Sequence, residues 1–317
     1  MKKTTSLLLV LTTLFAVLLS GCGKEPEEPE IIEEKVQAQR ITRFVASGRA
    51  NNQTVQMEMK MVYDGDELLQ MNVSQLNKPY MIAVFAGNED RPAHNVIYNT
   101  DGDIVSTTVC QYDSDGNPLK EICYQNGQLA YTAELKCNGR GMVQEEIQTN
   151  SQGKRQERIT KTYNANGDIL SVSYDQQQIR ETYAYNSAGD VIQYCYYSGN
   201  QLLNKIVYQY RSDGTMVDKV YYTKQESGGK SELEAVAHYV YQYDADGRCI
   251  DCYVRSNGEK VAEYTYTYDD QGWLCGVLLK GEHGNGLNVT LEYDVVSVSK
   301  EQADELDDFL DALLDTI

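Results

Sequence analysis

Tyrosine alternates with other residues along much of this chain, as in Tyr239-Val240-Tyr241-Gln242-Tyr243, Tyr264-Thr265-Tyr266-Thr267-Tyr268, Tyr183-Ala184-Tyr185 and Tyr208-Gln209-Tyr210. A period of two belongs to a strand and not to a helix, so the tyrosines of each run share one face. The runs end in corners such as Asn164-Ala165-Asn166-Gly167 and Asp244-Ala245-Asp246-Gly247. There Asn or Asp opens a type I turn and caps it, and glycine supplies the positive φ that closes a hairpin. A second strand runs back from each corner, as at Ile169 to Tyr174 or Val191 to Tyr197.

The corner is copied seven times, at Tyr98–Gly102, Tyr112–Gly116, Tyr163–Gly167, Tyr185–Gly189, Tyr210–Gly214, Tyr243–Gly247 and Tyr268–Gly272. An aliphatic pair follows each one: Ile104-Val105, Pro118-Leu119, Ile169-Leu170, Val191-Ile192, Met216-Val217, Cys249-Ile250 and Leu274-Cys275. From Tyr163 the copies step by 22, 25, 33, 25 and 25 residues to Tyr293, and the longest step holds an insertion, Lys224 to Lys230, read as an extended turn. The gap of 51 residues between Tyr112 and Tyr163 predicts one decayed copy. Shorter turns at Asn126-Gly127, Asn138-Gly139, Ser198-Gly199-Asn200 and Ser256-Asn257-Gly258 alternate with the long ones. One supersecondary unit repeated in this way predicts an all-β protein, an antiparallel hairpin meander in which strands lie beside their sequence neighbours. Whether the sheet is open, curled or two-layered is left open by the pattern.

Tyr243-Asp244-Ala245-Asp246-Gly247-Arg248-Cys249-Ile250 resembles the YD repeat of the Rhs family, and the resemblance covers about residues 96–295. It implies the repetitive β-hairpin fold. It also admits a role for the chain as an immunity or accessory lipoprotein that binds a toxin or secreted effector.

Residues 41–95 read as an N-terminal β cap, with Met57, Met59, Met61 and Tyr63 on one face, then Leu69 to Val73 and Tyr80 to Phe85. The methionine stripe suits a core under the sheet or an adaptable partner surface. At the other end, over 297–317, the period changes: Ser299-Lys300-Glu301-Gln302 reads as a capping box, and Ala303, Leu306, Leu310, Leu313, Leu314 and Ile317 recur at helical spacing. An amphipathic helix is expected there, covering the last open sheet edge or docking a partner.

The first residues form a targeting segment. Lys2 and Lys3 precede an apolar stretch from Leu7 to Leu19 that is too short to span a bilayer. It ends in Leu19-Ser20-Gly21-Cys22, which resembles the lipobox of bacterial lipoproteins. That resemblance implies a signal peptide over 1–21, cleavage before Cys22, and acylation of the chain at Cys22 (a diacylglyceryl group, with palmitate as the natural label). Residues 22–40, rich in Glu with Pro26 and Pro29, read as an acidic flexible linker. The expected location is the membrane face of an exported protein.

Charge narrows the partners. Removing Lys2 and Lys3 leaves 26 basic against 47 acidic residues, about −21, which repels phosphate backbones and argues against nucleic acid. The 25 Tyr against four Phe and one Trp suit a sheet with one dry and one wet side. Beyond Cys22 there are Cys110, Cys123, Cys137, Cys195, Cys249, Cys252 and Cys275. An odd count leaves one outside any full disulfide framework, and most sit where other repeats carry Val, Ile or Tyr. Cys249-Ile250-Asp251-Cys252 has redox spacing, but on a regular strand its thiols point to opposite faces.

Catalytic chemistry finds no constellation. His94, His238 and His283 are scattered, and phosphate-loop, dinucleotide and nucleophile-elbow motifs are absent. Asp101/Asp103, Asp113/Asp115 and Asp244/Asp246 invite calcium, yet the offsets of a calcium loop are missing and turn chemistry accounts for them. No enzyme activity, metal or cofactor is expected. The predicted function is that of a lipid-anchored, non-catalytic envelope module that binds a glycan or a protein, or serves as a scaffold.

Overall fold

The computed structural model describes residues 36–50, 53–65, 67–85, 92–227 and 230–298, with the single positions 303 and 306. Among them are twenty antiparallel strands and one 3-10 turn, Glu282–Gly284. Contacts divide the chain into two compact units, one drawn from 1–45, 56–143 and 291–317, the other from 46–55 and 144–290.

The first unit contains most of β1 (Val36–Ala50) and β2 (Gln53–Asp64), then β3 (Glu67–Gln75), β4 (Lys78–Phe85), β5 (Pro92–Tyr98), β6 (Ile104–Tyr112), β7 (Pro118–Gln125) and β8 (Gln128–Cys137). Its core is the methionine stripe. Met59 lies opposite Val73 and Val73 opposite Met81, while Met61, Met71 and Ala83 form the next row. All six are buried, together with Ile41, Phe44 and Phe85. Of the two uses of the stripe, core packing is the one found: unbranched methionine fills the irregular space under a twisted sheet.

The second unit contains β9 (Val143–Asn150), β10 (Arg155–Tyr163), β11 (Ile169–Tyr174), β12 (Ile179–Tyr185), β13 (Val191–Ser198), β14 (Gln201–Tyr210), β15 (Met216–Ser227), β16 (Lys230–Tyr243), β17 (Cys249–Ser256), β18 (Glu259–Tyr268), β19 (Leu274–Gly281) and the start of β20 (Gly286–Val298). From β9 to β20 each strand pairs antiparallel with the next. Its buried apolar positions are small or aliphatic, among them Val172, Cys195, Cys252, Val254, Val277 and Val289; Glu157 is buried as well, and the tyrosines are half-buried around them.

The aliphatic pair after each glycine has a geometric cause. Tyr163 lies opposite Ile169, but Thr162 lies opposite Ser171, so Leu170 has no partner and forms a β-bulge. The same slip isolates Val105, Leu119, Ile192, Val217, Ile250 and Cys275 in the other six copies. A bulge shifts the inside–outside phase by one residue. The first member of each pair therefore shares the tyrosine's face. Among the second members Leu119, Leu170, Ile192 and Ile250 are exposed.

The long turns are built as the Asx/Gly spacing requires. The residue after Tyr163, Asn164, donates its N–H to the Asp168 carbonyl at 2.9 Å, and its Oδ1 accepts from the N–H groups of Asn166 and Asp168 at 2.9 and 3.0 Å. Gly167 closes the turn at φ +105°, outside the range L side chains favour. Nine turns with this backbone closure occur among the described residues, eight opened by Asn or Asp and one by Arg211, and two of them are additional to those the tyrosine spacing finds: Asn138 closes with Gly141 and Asn150 with Gly153. Cys137 and Thr149 stand there in place of tyrosine. Asn138-Gly139 is thus the start of a long turn and not a short one.

Other expectations are corrected. The turns at Tyr98 and Tyr112 lie at opposite ends of β6, so the long turn is not confined to one end of the strands. The insertion at 224–230 lengthens β15 and β16, which slip by one residue at Tyr221/Tyr222 and then stay paired to Ser227 opposite Lys230. β1 begins at Val36, inside the segment read as linker over 22–40; charged Glu33-Glu34-Lys35 hides the start of the strand. The helix expected over 297–317 is not borne out. Residues 297 and 298 finish β20, and β20 pairs with both β19 and β1, which leaves no open edge there to cover. Residues 299–317 other than 303 and 306, and all of 1–35 with Cys22, lie outside the described residues.

Candidate binding face

The tyrosine face of the second unit gathers most of the chain's desolvated ionisable groups. Register sets one row of it directly: Lys161, Val172, Glu181, Tyr196, Asn204 and Thr223 lie side by side from β10 to β15. At about 4.8 Å between neighbouring strands this row is roughly 24 Å long. A second row begins with Tyr183 opposite Tyr194 and continues through Ile206 to Tyr221. The Tyr183 and Tyr194 rings are 5.2 Å apart and tilted by 55°, an aromatic pair that leaves ring surface available beside polar groups.

Glu181 is the polar centre. Tyr183 donates its hydroxyl to Glu181 Oε2 at 3.0 Å. Burial pushes the carboxyl above its ordinary range, against the pull of the Tyr183 and Tyr194 hydroxyls and of Lys161. The same desolvation holds the Lys161 ammonium below its usual range, although Glu146 and Glu181 both favour its charge. Desolvation therefore outweighs attraction on both sides of the pair. Burial, then the Glu181 charge, pushes the Tyr174 phenol up to about 12, and the Tyr183 and Tyr194 phenols are raised further by the same causes. These phenols stay protonated at neutral pH and act as hydrogen-bond donors.

Along the same face Lys219 lies opposite Tyr208 on one side and Tyr239 on the other, its Nζ 5.7 and 5.5 Å from their ring centres. On the opposite face Arg180 sits 4.2 Å over Tyr197, while Arg211 lies 5.3 Å over Tyr243 and Arg248 5.4 Å over Tyr268. Such contacts fix tyrosine rings in place and keep an acidic chain from presenting one sign of charge.

The acidic corners have a structural use. Asp113 Oδ1 accepts from the N–H groups of Asp115 and Asn117 at 2.9 and 2.7 Å, and Asp244 Oδ1 from those of Asp246 and Arg248 at 3.0 and 2.9 Å. Arg248 also bridges Asp244 and Asp246. Among the described residues no group of three or more His, Cys, Asp or Glu is placed to hold a metal. His238 Nε2 is 2.6 Å from Asp218 Oδ1, His94 lies on β5, and His283 in the 3-10 turn, so the three are not brought together. Cys123, Cys195 and Cys252 are buried free thiols. Cys137 donates to the Pro118 carbonyl at 3.6 Å.

Two features were missed from sequence. Lys161 and Glu181 each precede a repeat tyrosine, Tyr163 or Tyr185, by an even number of residues, which places them on the tyrosine face; that parity was the available signal. The Cys249–Cys252 expectation fails because the bulge at Ile250 resets the alternation.

No family model and no curated protein matches the chain. Solved structures give low similarity. The crystal structure of TcdB2-TccC3-TEV aligns over 81% of this chain at 13% identity and a TM-score of 0.42, and the chain spans 16% of that protein's length. A porin-like protein from Bacteroides uniformis aligns over 80% of this chain and 98% of its own at 10% identity and a TM-score of 0.36. An outer membrane lipoprotein-sorting protein domain from Vibrio parahaemolyticus aligns over 87% and 91% at 7% identity and a TM-score of 0.21.

Proposed function

We propose that this chain is a lipid-anchored, non-catalytic module of the cell envelope that binds a glycan on the tyrosine face of its second unit. The observation that supports this reading is the paired row from Lys161 through Glu181 to Tyr196, with the tilted Tyr183–Tyr194 rings beside it. Half-buried aromatic rings offer flat apolar area to the C–H faces of a sugar, while phenols, a carboxyl and an ammonium meet its hydroxyls. The anchor is the acylated Cys22 that the lipobox-like Leu19-Ser20-Gly21-Cys22 implies. At roughly 0.8 kcal/mol per buried CH₂, two or more chains would retain the protein on a bilayer.

Two measurements test this. Labelled palmitate should be incorporated by the wild type and not by Cys22→Ser; an unlabelled wild type overturns the anchor. A glycan array probed with the wild type and with Tyr194→Ala should give saccharide hits that the substitution weakens at least tenfold. No saccharide retained, with one stoichiometric protein partner recovered from envelope extract, would instead favour an accessory or immunity lipoprotein.

A further inference from the structure

The bulge at the head of β17 changes which side chains of Cys249-Ile250-Asp251-Cys252 share a face. Cys249 lies opposite Tyr243, Asp251 opposite Gln242 and Cys252 opposite Tyr241, while Ile250 has no partner. Tyr241 and Tyr243 are two apart on β16 and share a face, so Cys249 and Cys252 share it as well. In register the two cysteines are two strand positions apart, about 6.6 Å between Cα atoms. That is near the upper end of the roughly 4.4–6.8 Å that a disulfide bridges.

Contacts agree with this placement. The Cys249 thiol lies 3.6 Å from the Asp251 carbonyl, on its own strand. Both thiols act electrostatically on the phenols of Tyr243 and Tyr266, and Cys249 acts on Cys252. Cys252 is 1% exposed and Cys249 is half-buried, so an external reagent reaches Cys249 first.

We propose that Cys249 and Cys252 form a dithiol site that becomes an intrastrand disulfide by exchange with an external disulfide. The Cys249 thiolate attacks one sulfur of the donor; the donor S–S bond breaks and one donor thiol leaves. The Cys252 thiolate then attacks the Cys249 sulfur, and the second donor thiol leaves. Two electrons pass to the donor, and the two cysteine protons end on the released thiols. The export expected from residues 1–22 would place the site where such donors are available.

Reactivity is set by burial. Desolvation raises the Cys249 thiol to about 11 and the Cys252 thiol to about 12, so at neutral pH both are almost entirely protonated. Exchange proceeds through the thiolate, so its rate should rise about tenfold per pH unit between 7 and 10. The site is thus slow and selective at neutral pH, unlike a catalytic dithiol with a depressed thiol.

The purified full-length chain is incubated with oxidised glutathione, blocked with N-ethylmaleimide and digested with trypsin. Arg248 and Arg255 bound a single peptide, 249–255, that carries both thiols. The expected product is that peptide without maleimide or glutathione and two hydrogens lighter, accumulating faster at higher pH. In Cys252→Ser, glutathione should remain on Cys249; in Cys249→Ser, Cys252 should stay reduced over the same time. A wild-type peptide carrying two maleimides after prolonged incubation at pH 9, or glutathione on each cysteine, overturns the proposal. If a variant fails to fold, the wild-type peptide mass decides alone. No ligand enters this readout, so its failure is separate from failure of the glycan reading.

Discussion

The Tyr185 hydroxyl donates to the main-chain carbonyl of Ile169 at 2.7 Å. Ile169 is the first aliphatic residue after Gly167, and Tyr185 opens the next copy of the turn. The relation recurs: Tyr210 donates to Val191 at 3.0 Å, Tyr268 to Cys249 at 2.8 Å, and Tyr243 to Met216. Each of these repeat tyrosines is therefore tied to the bulged end of the previous hairpin. The bulge interrupts the ladder beside that carbonyl, and the phenol supplies a donor. This accounts for tyrosine over phenylalanine at a position where ring burial alone would accept either.

Tyr185→Phe keeps the ring and removes that donor. It should lower stability by about 1 kcal/mol, the usual net value of one such bond, with a further loss if the Ile169 carbonyl stays dry. Urea unfolding followed by circular dichroism measures it. Combining Tyr185→Phe with Tyr268→Phe, in distant copies, should give nearly the sum. An unchanged midpoint in the double variant would mean that the hydroxyl is replaced by water at no cost.

Asn164 carries the second prediction. Its side chain accepts from two turn N–H groups and donates to Asp168 Oδ2 at 2.6 Å. Asn164→Ala removes all three bonds and should cost about 1–2 kcal/mol, as for loss of a helix cap. Ala165, exposed at the turn's tip, provides the control: Ala165→Ser should stay within about 0.5 kcal/mol. Equal effects of the two would show that turn formation does not depend on the Asx side chain.

The meander and most corners were legible because they rest on local chemistry. Asn186 and Gly189, or Asp244 and Gly247, state their turn within four residues. The hydroxyl of Tyr185 was not legible, because its acceptor depends on a bulge whose register no single strand encodes. Lys161 and Glu181 come together only once β10, β11 and β12 are aligned; Val172 separates them in the row. Cys249 and Cys252 were placed on opposite faces by regular alternation, and the one-residue slip at Ile250 reverses that. The segment read as a helix lies outside the described residues apart from 303 and 306, and the edge it was expected to cover is already paired with β1.

Gly48 should be intolerant of any side chain. It holds φ +154°, and a Cβ there would lie 2.0 Å from the Gly286 carbonyl oxygen on the neighbouring strand. The three nearest atoms all belong to the backbone of that strand, at Gly286 and Leu287, which cannot yield as a flexible side chain does. Gly48→Ala should therefore cost about 3 kcal/mol or more and loosen the β1–β20 pairing. Hydrogen exchange should show faster exchange at residues 286–290, whereas Gly199→Ala, in an open turn, should leave those amides unchanged.

Glu181 gives the stability a predictable pH dependence. Burial raises its carboxyl in the folded state above the ordinary value of 4.5, so the folded chain holds that proton more tightly than the unfolded chain does. Its contribution is then fully present below about pH 4.5 and is lost as pH rises through the folded value. Lys161 runs the other way: its folded value lies below the ordinary 10.5, so its contribution is present above that pH and lost as pH falls through the folded value. Glu181→Gln removes one charge and keeps the shape. Relative to the wild type, its urea midpoint should rise above pH 4.5 and level off once pH passes the raised folded-state value, because the wild type alone bears the cost of ionising a buried carboxyl. Stability gained by the variant at pH 7 and absent at pH 4 is the expected sign. A midpoint difference that shrinks with rising pH would mean that Lys161 and the two tyrosine hydroxyls over-compensate the burial, and that Glu181 is held ionised rather than protonated.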